Sequence, residues 1–359
     1  MNRFKLINNT VELKKVGLHT EELHNFQTTL LGEWERQQKV KGFTSETIAL
    51  NLRNINEFLT LSKKFCWEIT SEDVEEFYLS LVGKGLAHST RRKYQSNIST
   101  FYDFLRGRKS LVIYNTLGLT VPHVLDDFNK FFHRKDDNDI RVVPPKKDVV
   151  EAFFDGMKTE MLHGRKYYTA ARDYVFFKVL MLTGMRIFEL TKVDKNDIRF
   201  DLGNEKGKIH VRFGKGSRGT GYKPRWVPML NDVDILLEWY LKEILPAFEK
   251  ENMDKTALFL SENGQRVSRD TMRANLTRRQ KKIGIPTEEI FSAHQLRHAF
   301  ATFQVENGVD ILTMSKLLGH SNVATTAGYL EPSSDYIERR IRVSQEKWRR
   351  ELEESKDGE

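Results

Sequence analysis

Through roughly the first 130 positions apolar side chains return every three or four residues, the spacing of helices with one buried face. Thr44-Ser45-Glu46-Thr47 reads as a helix start, with Ile48, Leu52, Ile55 and Leu59 as the stripe behind it. Ser71-Glu72 opens a second helix through Val74, Phe77, Tyr78 and Leu81, and Gly83-Lys84-Gly85-Leu86 breaks it. A third starts near Ser89-Thr90 and runs through Tyr94, Ile98, Phe101, Tyr102 and Leu105. Later the pattern changes. Residues 174–182 are apolar enough for a buried helix, and two short strands, 208–213 and 225–229, flank a Gly-rich loop. Amphipathic helices are expected over 234–245 and 271–283. Another begins behind Ser292, with Leu296, Phe300, Phe303 and Val305. The segment 333–353 carries only Tyr336, Ile337, Ile341 and Trp348, too thin a stripe to be stable without docking on something. The expected fold class is mainly α, with a small β-sheet in the C-terminal domain.

Residues 133–141 are charged and lack aromatics, and Pro144-Pro145-Lys146-Lys147 after them resists helix. This segment reads as a linker, with a charged loop inside one domain as the alternative. The division expected is an extension at 1–22, a helical domain at 23–132, a linker at 133–147, an α+β domain at 148–332 and a tail at 333–359. At 359 residues there is chain enough for two cores. The net charge of +8 favours a polyanionic partner without saying which one. A single cysteine, Cys66, excludes a disulfide framework or cysteine-rich zinc site; between Phe65 and Trp67 it reads as a buried structural thiol. The opening Met1-Asn2-Arg3-Phe4-Lys5 leads into no hydrophobic signal core, and no apolar run approaches the roughly 18 residues that cross a bilayer. The expectation is a soluble cytoplasmic protein with no membrane partner.

The chemistry-bearing residues concentrate late in the chain. His294-Gln295-Leu296-Arg297-His298 precedes Leu317-Leu318-Gly319-His320, and Tyr329 follows nine residues on. Three residues apart on a helix, His294 and Arg297 share a face. Imidazole donates or shuttles a proton, guanidinium grips two oxygens of one phosphate, and a phenol is a nucleophile. Together they describe phosphoryl transfer through a covalent protein intermediate. Residues 182–190 add Arg186, which either joins that pocket or simply pairs with Glu189 three positions on. His294 and His298 have the spacing of a helix-borne metal pair, but no Glu follows His294 and no third ligand announces itself, so no metal site is assigned.

This arrangement resembles the tyrosine recombinase (phage integrase) family. The family signature of His-x-x-Arg, Leu-Gly-His and a tyrosine about nine residues on is matched by His294-x-x-Arg297, Leu318-Gly319-His320 and Tyr329. Its upstream half is matched by Leu182-Thr183-Gly184-Met185-Arg186-Ile187-Phe188-Glu189-Leu190. The resemblance implies a two-domain DNA clamp, with a core-binding domain over 23–132 and a catalytic domain over 148–332. It implies Tyr329 as nucleophile, with Arg186, His294, Arg297 and His320 around the scissile phosphate and Glu189 and His298 behind them. It places a general-acid lysine on the strand-to-strand turn, where Lys215 stands; the loop is longer than the family's and Lys223 competes. Tyr336 competes with Tyr329 but belongs to the tail stripe. The resemblance further implies double-stranded DNA sites as partners, a tetramer on paired sites, accessory proteins, a tail that packs on a neighbouring protomer, and no cofactor.

The stretch 82–105 also resembles the family's DNA-clamping domain, with Lys84-Gly85-Leu86 before a Ser-Thr-capped helix. Arg91, Arg92 and Lys93 open that helix and Arg106, Arg108 and Lys109 close it; with no acid among them until Asp103 they read as phosphate contacts, or else as a solvated face. The expected activity is site-specific cleavage and rejoining of DNA, for integration or transposition of a mobile element. Alternatives are chromosome or plasmid dimer resolution, type IB topoisomerase-like relaxation, a non-catalytic DNA-binding regulator, and a metal nuclease.

Overall fold

The computed structural model describes residues 19–130, 143–203, 206–214, 222–320, 342–343 and 345–346. These fall into two compact units, the described part of one lying within 19–130 and of the other within 143–346.

The first unit is helical: α1 (Thr20–Val40), α2 (Ser45–Ser62), α3 (Ser71–Gly83), α4 (His88–Phe104) and α5 (Ser110–Leu117). Thr44 caps α2 by accepting from Thr47 N–H, and Thr70 and Asp73 form a reciprocal capping box on α3. Edge-to-face rings fill the core, Trp34 on Phe101 at 5.2 Å and Phe58 on Phe77 at 5.0 Å. Burying each such ring is worth about 1.5–3 kcal/mol. Cys66 is buried, its carbonyl accepts from Tyr102 Oη at 2.8 Å, and burial pushes its thiol up to about 12, which leaves it inert.

Two expectations in this unit need correction. α4 starts at His88, with Ala87 as a cap that uses no side chain, so Ser89 and Thr90 lie inside the first turn. Gly85, at φ 67°, has already turned the chain out of α3, and the extended Ala87 lets the helix begin early. The basic residues after Phe104 do not end a helix either. They form a five-residue π turn, Leu105–Lys109, that runs into α5 and stops at Gly118 in the left-handed conformation. Only Ile113 and Leu117 of α5 are buried, too little periodicity for the sequence to announce it.

The second unit comprises α6 (Lys147–His163), α7 (Tyr167–Thr183), α8 (Ile187–Thr191), β1 (Ile198–Arg199), β2 (Lys208–Val211), β3 (Arg225–Pro228), α9 (Val233–Trp239), α10 (Arg269–Ile283), α11 (Ala293–Glu306) and α12 (Ile311–Leu318). α7 is buried on nearly every side and forms the axis of the core, its Phe176 and Phe177 packed among Phe153, Phe259 and Phe291. The sheet is antiparallel in the order β1-β2-β3, Ile209 facing Val227. β1 has two residues, too few to show a period, and was invisible in the sequence. The helix expected over 234–245 changes pitch instead: α9 passes into a π turn at Tyr240–Ile244 and a 3₁₀ turn at Leu245–Phe248, where Pro246 supplies no N–H. α10 is tied to α7 by a buried ion pair, Arg279 Nη2 to Asp173 at 2.9 Å, while Arg172 holds the other oxygen of Asp173 at 2.7 Å. No described helix is long and apolar enough to cross a membrane.

Candidate active site

Two glycines draw the chemistry-bearing segments together. Gly184 ends α7 at φ 62°, and a Cβ there would lie 2.3 Å from the Phe300 ring and 2.9 Å from Leu318. The turn between α7 and α8 therefore presses directly on α11 and α12. Gly319 ends α12 at φ 71°, where a Cβ would meet Arg225 Cδ at 2.9 Å. Both positions require the left-handed conformation and the absence of a side chain at once.

The close approach brings three guanidinium groups onto one carboxylate. Glu189, on α8, is 1% exposed at its side chain and accepts from the Arg186 N–H at 2.9 Å in a capping box. Arg186 Nη1 reaches Oε1 at 2.9 Å. Arg225 binds both oxygens in a fork, at 3.0 and 2.8 Å, and Arg297 Nη1 stands 3.9 Å from Oε2. Burial works against the charge on Glu189, but hydrogen bonds and charge from Arg225, then the charge of Arg297, outweigh it and hold the carboxyl at about 2. Glu189 is ionised at any working pH.

Arg297, 1% exposed, is gripped from several sides: Nη1 donates to Gly184 C=O at 2.6 Å and Nη2 to Leu318 C=O at 2.8 Å. Nη2 also lies 3.0 Å from Nε2 of His320. A guanidinium only donates, so Nε2 must accept, which places the imidazole proton on Nδ1. Burial, then the charges of Arg297, Arg186 and Arg225, push His320 down to about 4. The ring is a neutral donor rather than a cation. Arg186, Arg225 and Arg297 against Glu189 alone leave an excess of two positive charges, a setting suited to an anion with several oxygens.

Of the residues singled out in the sequence, Arg186, Glu189, Arg297 and His320 meet here. Arg186 pairs with Glu189, the carboxylate that Arg297 also approaches at 3.9 Å. His294 is exposed on the first turn of α11, its ring edge-on to that of buried His298 at 4.8 Å. Lys215 and Tyr329 lie outside the described residues, as do most of the tail and Tyr336. Lys223 is exposed at the hairpin neck, its N–H donating to Gly214 C=O at 2.8 Å. Tyr222 packs there on Phe213 at 5.1 Å and on Phe188 of α8 at 6.5 Å, fastening the base of the loop to the site. Among the described residues no group of three or more His, Cys, Asp or Glu could hold a metal ion.

In the first unit Lys93 and Arg108 are exposed and Arg91 and Arg92 half-buried. Arg106 pairs with Asp103 at 2.7 Å and Lys109 with Glu33 of α1 at 2.6 Å. The basic run that looked free of acids is therefore partly neutralised in three dimensions.

Sequence reasoning missed Arg225. The signal was present: on β3 it shares a face with the buried Val227, and an inward-facing arginine must have a partner.

A helical unit, an α+β unit and a cationic pocket built from three arginines and a histidine suit a protein that handles phosphodiesters. Residues 146–335 match the model of the phage integrase family, and the chain belongs to that family, the tyrosine site-specific recombinases. The tyrosine recombinase XerD of Listeria monocytogenes serotype 4b is 26% identical over 292 residues, covering 71% of this chain and 92% of the relative. That of Staphylococcus saprophyticus is 28% identical over 306 residues, covering 84% and 92%. The fold is also that of the Tn1549 transposon integrase in complex with circular intermediate DNA, at TM-score 0.61, 20% identity, and coverage of 88% and 98%. The XerH site-specific recombinase bound to palindromic difH substrate gives TM-score 0.60 at 20% identity, covering 84% and 78%.

Proposed function

We propose that this pocket cleaves and reseals DNA at specific sites through a 3′-phosphotyrosyl intermediate. Tyr329 Oη attacks the scissile phosphorus, the bond to the 5′ oxygen breaks, and a proton from Lys215 neutralises that oxygen as it leaves. Arg186 and Arg297 stabilise the charge growing on the non-bridging oxygens, with His320 donating through Nδ1 and His294 as a further hydrogen-bond partner. Glu189 orients the arginines and His298 backs His294. The phenol, ordinarily near pKa 10, is made more acidic by the cationic pocket and passes its proton to water as it attacks. The 5′ hydroxyl of a partner duplex then attacks the phosphotyrosine and releases Tyr329. The bond energy is kept in the adduct, so neither a nucleotide nor a metal ion is needed.

The observation that carries this reading is the convergence of Arg186 and Arg297 on Glu189, with His320 against Arg297 and positive charge in excess. Arg91, Arg92, Lys93, Arg106, Arg108 and Lys109 would contact the duplex backbone, the last group by exchanging Asp103 and Glu33 for phosphates. The DNA would be bound by the domains 23–132 and 148–332 joined by the linker 133–147, with four protomers on paired sites and the tail 333–359 as their contact.

The biological setting proposed is integration or transposition of a mobile element. Resolution of chromosome or plasmid dimers by the same chemistry stands beside it, since the chain resembles relatives named XerD and a transposon integrase alike. Nicked suicide duplexes built from the DNA flanking the reading frame test both points. Wild-type protein should form a covalent adduct in EDTA, and Tyr329→Phe should bind the DNA without one. An adduct that persists in Tyr329→Phe refutes the nucleophile. Cleavage of the element's own ends favours integration, whereas cleavage of only a single chromosomal site favours dimer resolution.

A further inference from the structure

Of the three arginines, Arg225 is bound most directly to Glu189. Both terminal nitrogens bind Glu189, and Nε donates to the Leu317 carbonyl at 3.2 Å, at the end of the helix that leads to His320. Its side chain is 12% exposed and lies in the space that Gly319 leaves by having no Cβ. Arg186 gives Glu189 one side-chain hydrogen bond and Arg297 stands at 3.9 Å.

We propose that Arg225 is the dedicated counter-ion of Glu189, holding that carboxylate so that Arg186 and Arg297 keep their charge for phosphate oxygens. It is a positioning residue and touches no substrate. The inference rests on the phosphodiester reading of the pocket and deepens it. Glu189 is needed to orient Arg186, through the backbone N–H and Nη1, yet an unbalanced buried carboxylate would bind both substrate-facing arginines itself. The bidentate fork of Arg225 resolves that conflict, and lysine could not reproduce it. Arg225 also anchors the strand that returns from the Gly-rich loop, so the same contact fixes the base of the loop against the pocket.

The test separates charge balance from scaffolding. Arg225→Gln leaves Glu189 facing only Arg186 and Arg297, and single-turnover adduct formation on the suicide duplex should fall about 10²-fold. Arg225→Gln combined with Glu189→Gln removes both charges while keeping neutral hydrogen-bonding shapes. That folded double variant should be at least about tenfold faster than Arg225→Gln, though short of wild type because glutamine keeps only one of the two oxygens that accept from Arg186. The second readout is the rise in thermal midpoint that inorganic phosphate gives the DNA-free protein, with Arg186→Gln marking the pocket's share. It should be lost in Arg225→Gln and regained in the double variant. A double variant as slow as Arg225→Gln, or slowed more than about 10³-fold, overturns the proposal even where the single variant fails to fold. So does an Arg225→Gln protein that matches wild type. If wild type forms no adduct on any duplex, the recombinase mechanism fails while the phosphate readout still decides the role of Arg225.

Discussion

Replacing Gly184 by alanine isolates the contact that assembles the pocket. The change forces a Cβ into φ 62°, a cost of about 1–2 kcal/mol for a residue held left-handed. It also places that carbon 2.3 Å from Phe300 Cδ1 and 2.9 Å from Leu318 Cδ2, both on buried side chains. Overpacking of this kind adds about 1–3 kcal/mol, for a total of about 2–5 kcal/mol. Urea unfolding should show the loss as a lower midpoint at unchanged slope. Adduct formation should fall further than stability explains, because the Gly184 carbonyl that accepts from Arg297 at 2.6 Å moves with the turn. Phe300→Leu in the same chain should recover part of the overlap cost and none of the backbone cost. A Gly184→Ala protein within about 0.5 kcal/mol of wild type would mean that α7, α11 and α12 do not meet as described.

Arg297→Lys should lower adduct formation on the order of 10³-fold with far less change in DNA affinity, because one ammonium cannot replace contacts to Gly184, Leu318 and His320; a rate within tenfold of wild type contradicts this. His320 is held near 4 against its ordinary 6.5, so the fold disfavours its protonated form. Its contribution is complete above pH 6.5 and disappears as pH falls toward 4, whereas that of Glu189 is complete above 4.5 and fails only as pH falls toward 2. Unfolding free energy should therefore decline from pH 6.5 downward, and His320→Asn should flatten the part between 6.5 and 4; an unchanged slope refutes the assignment. Gln280→Leu should cost about 2–4 kcal/mol in melting experiments, since the buried amide satisfies both the N–H and the C=O of Phe291, just ahead of α11.

Much of this protein was decided locally and could be read in order along the chain. Helices α2, α3 and α11 follow from an apolar stripe behind a capping residue, and α7 from a continuous apolar run; such signals act within a few residues. The order from His294 to Arg297 and on to Leu318-Gly319-His320 is likewise local, carried by α11, α12 and the short connection between them. What failed to show locally was short or long-range: β1 has too few residues for a period, and α5 buries only two side chains. Charge pairing was equally hidden, since Lys109 meets Glu33 from a helix more than seventy positions earlier. The sharpest case is the pocket itself. Linear order names Arg186, Glu189, Arg297 and His320, but only folding gives Glu189 a bidentate partner on β3, turns His320 into a neutral donor and seals Arg297 against two carbonyls. Those properties depend on burial and on distances between residues 21 to 113 positions apart, and a one-dimensional string contains neither.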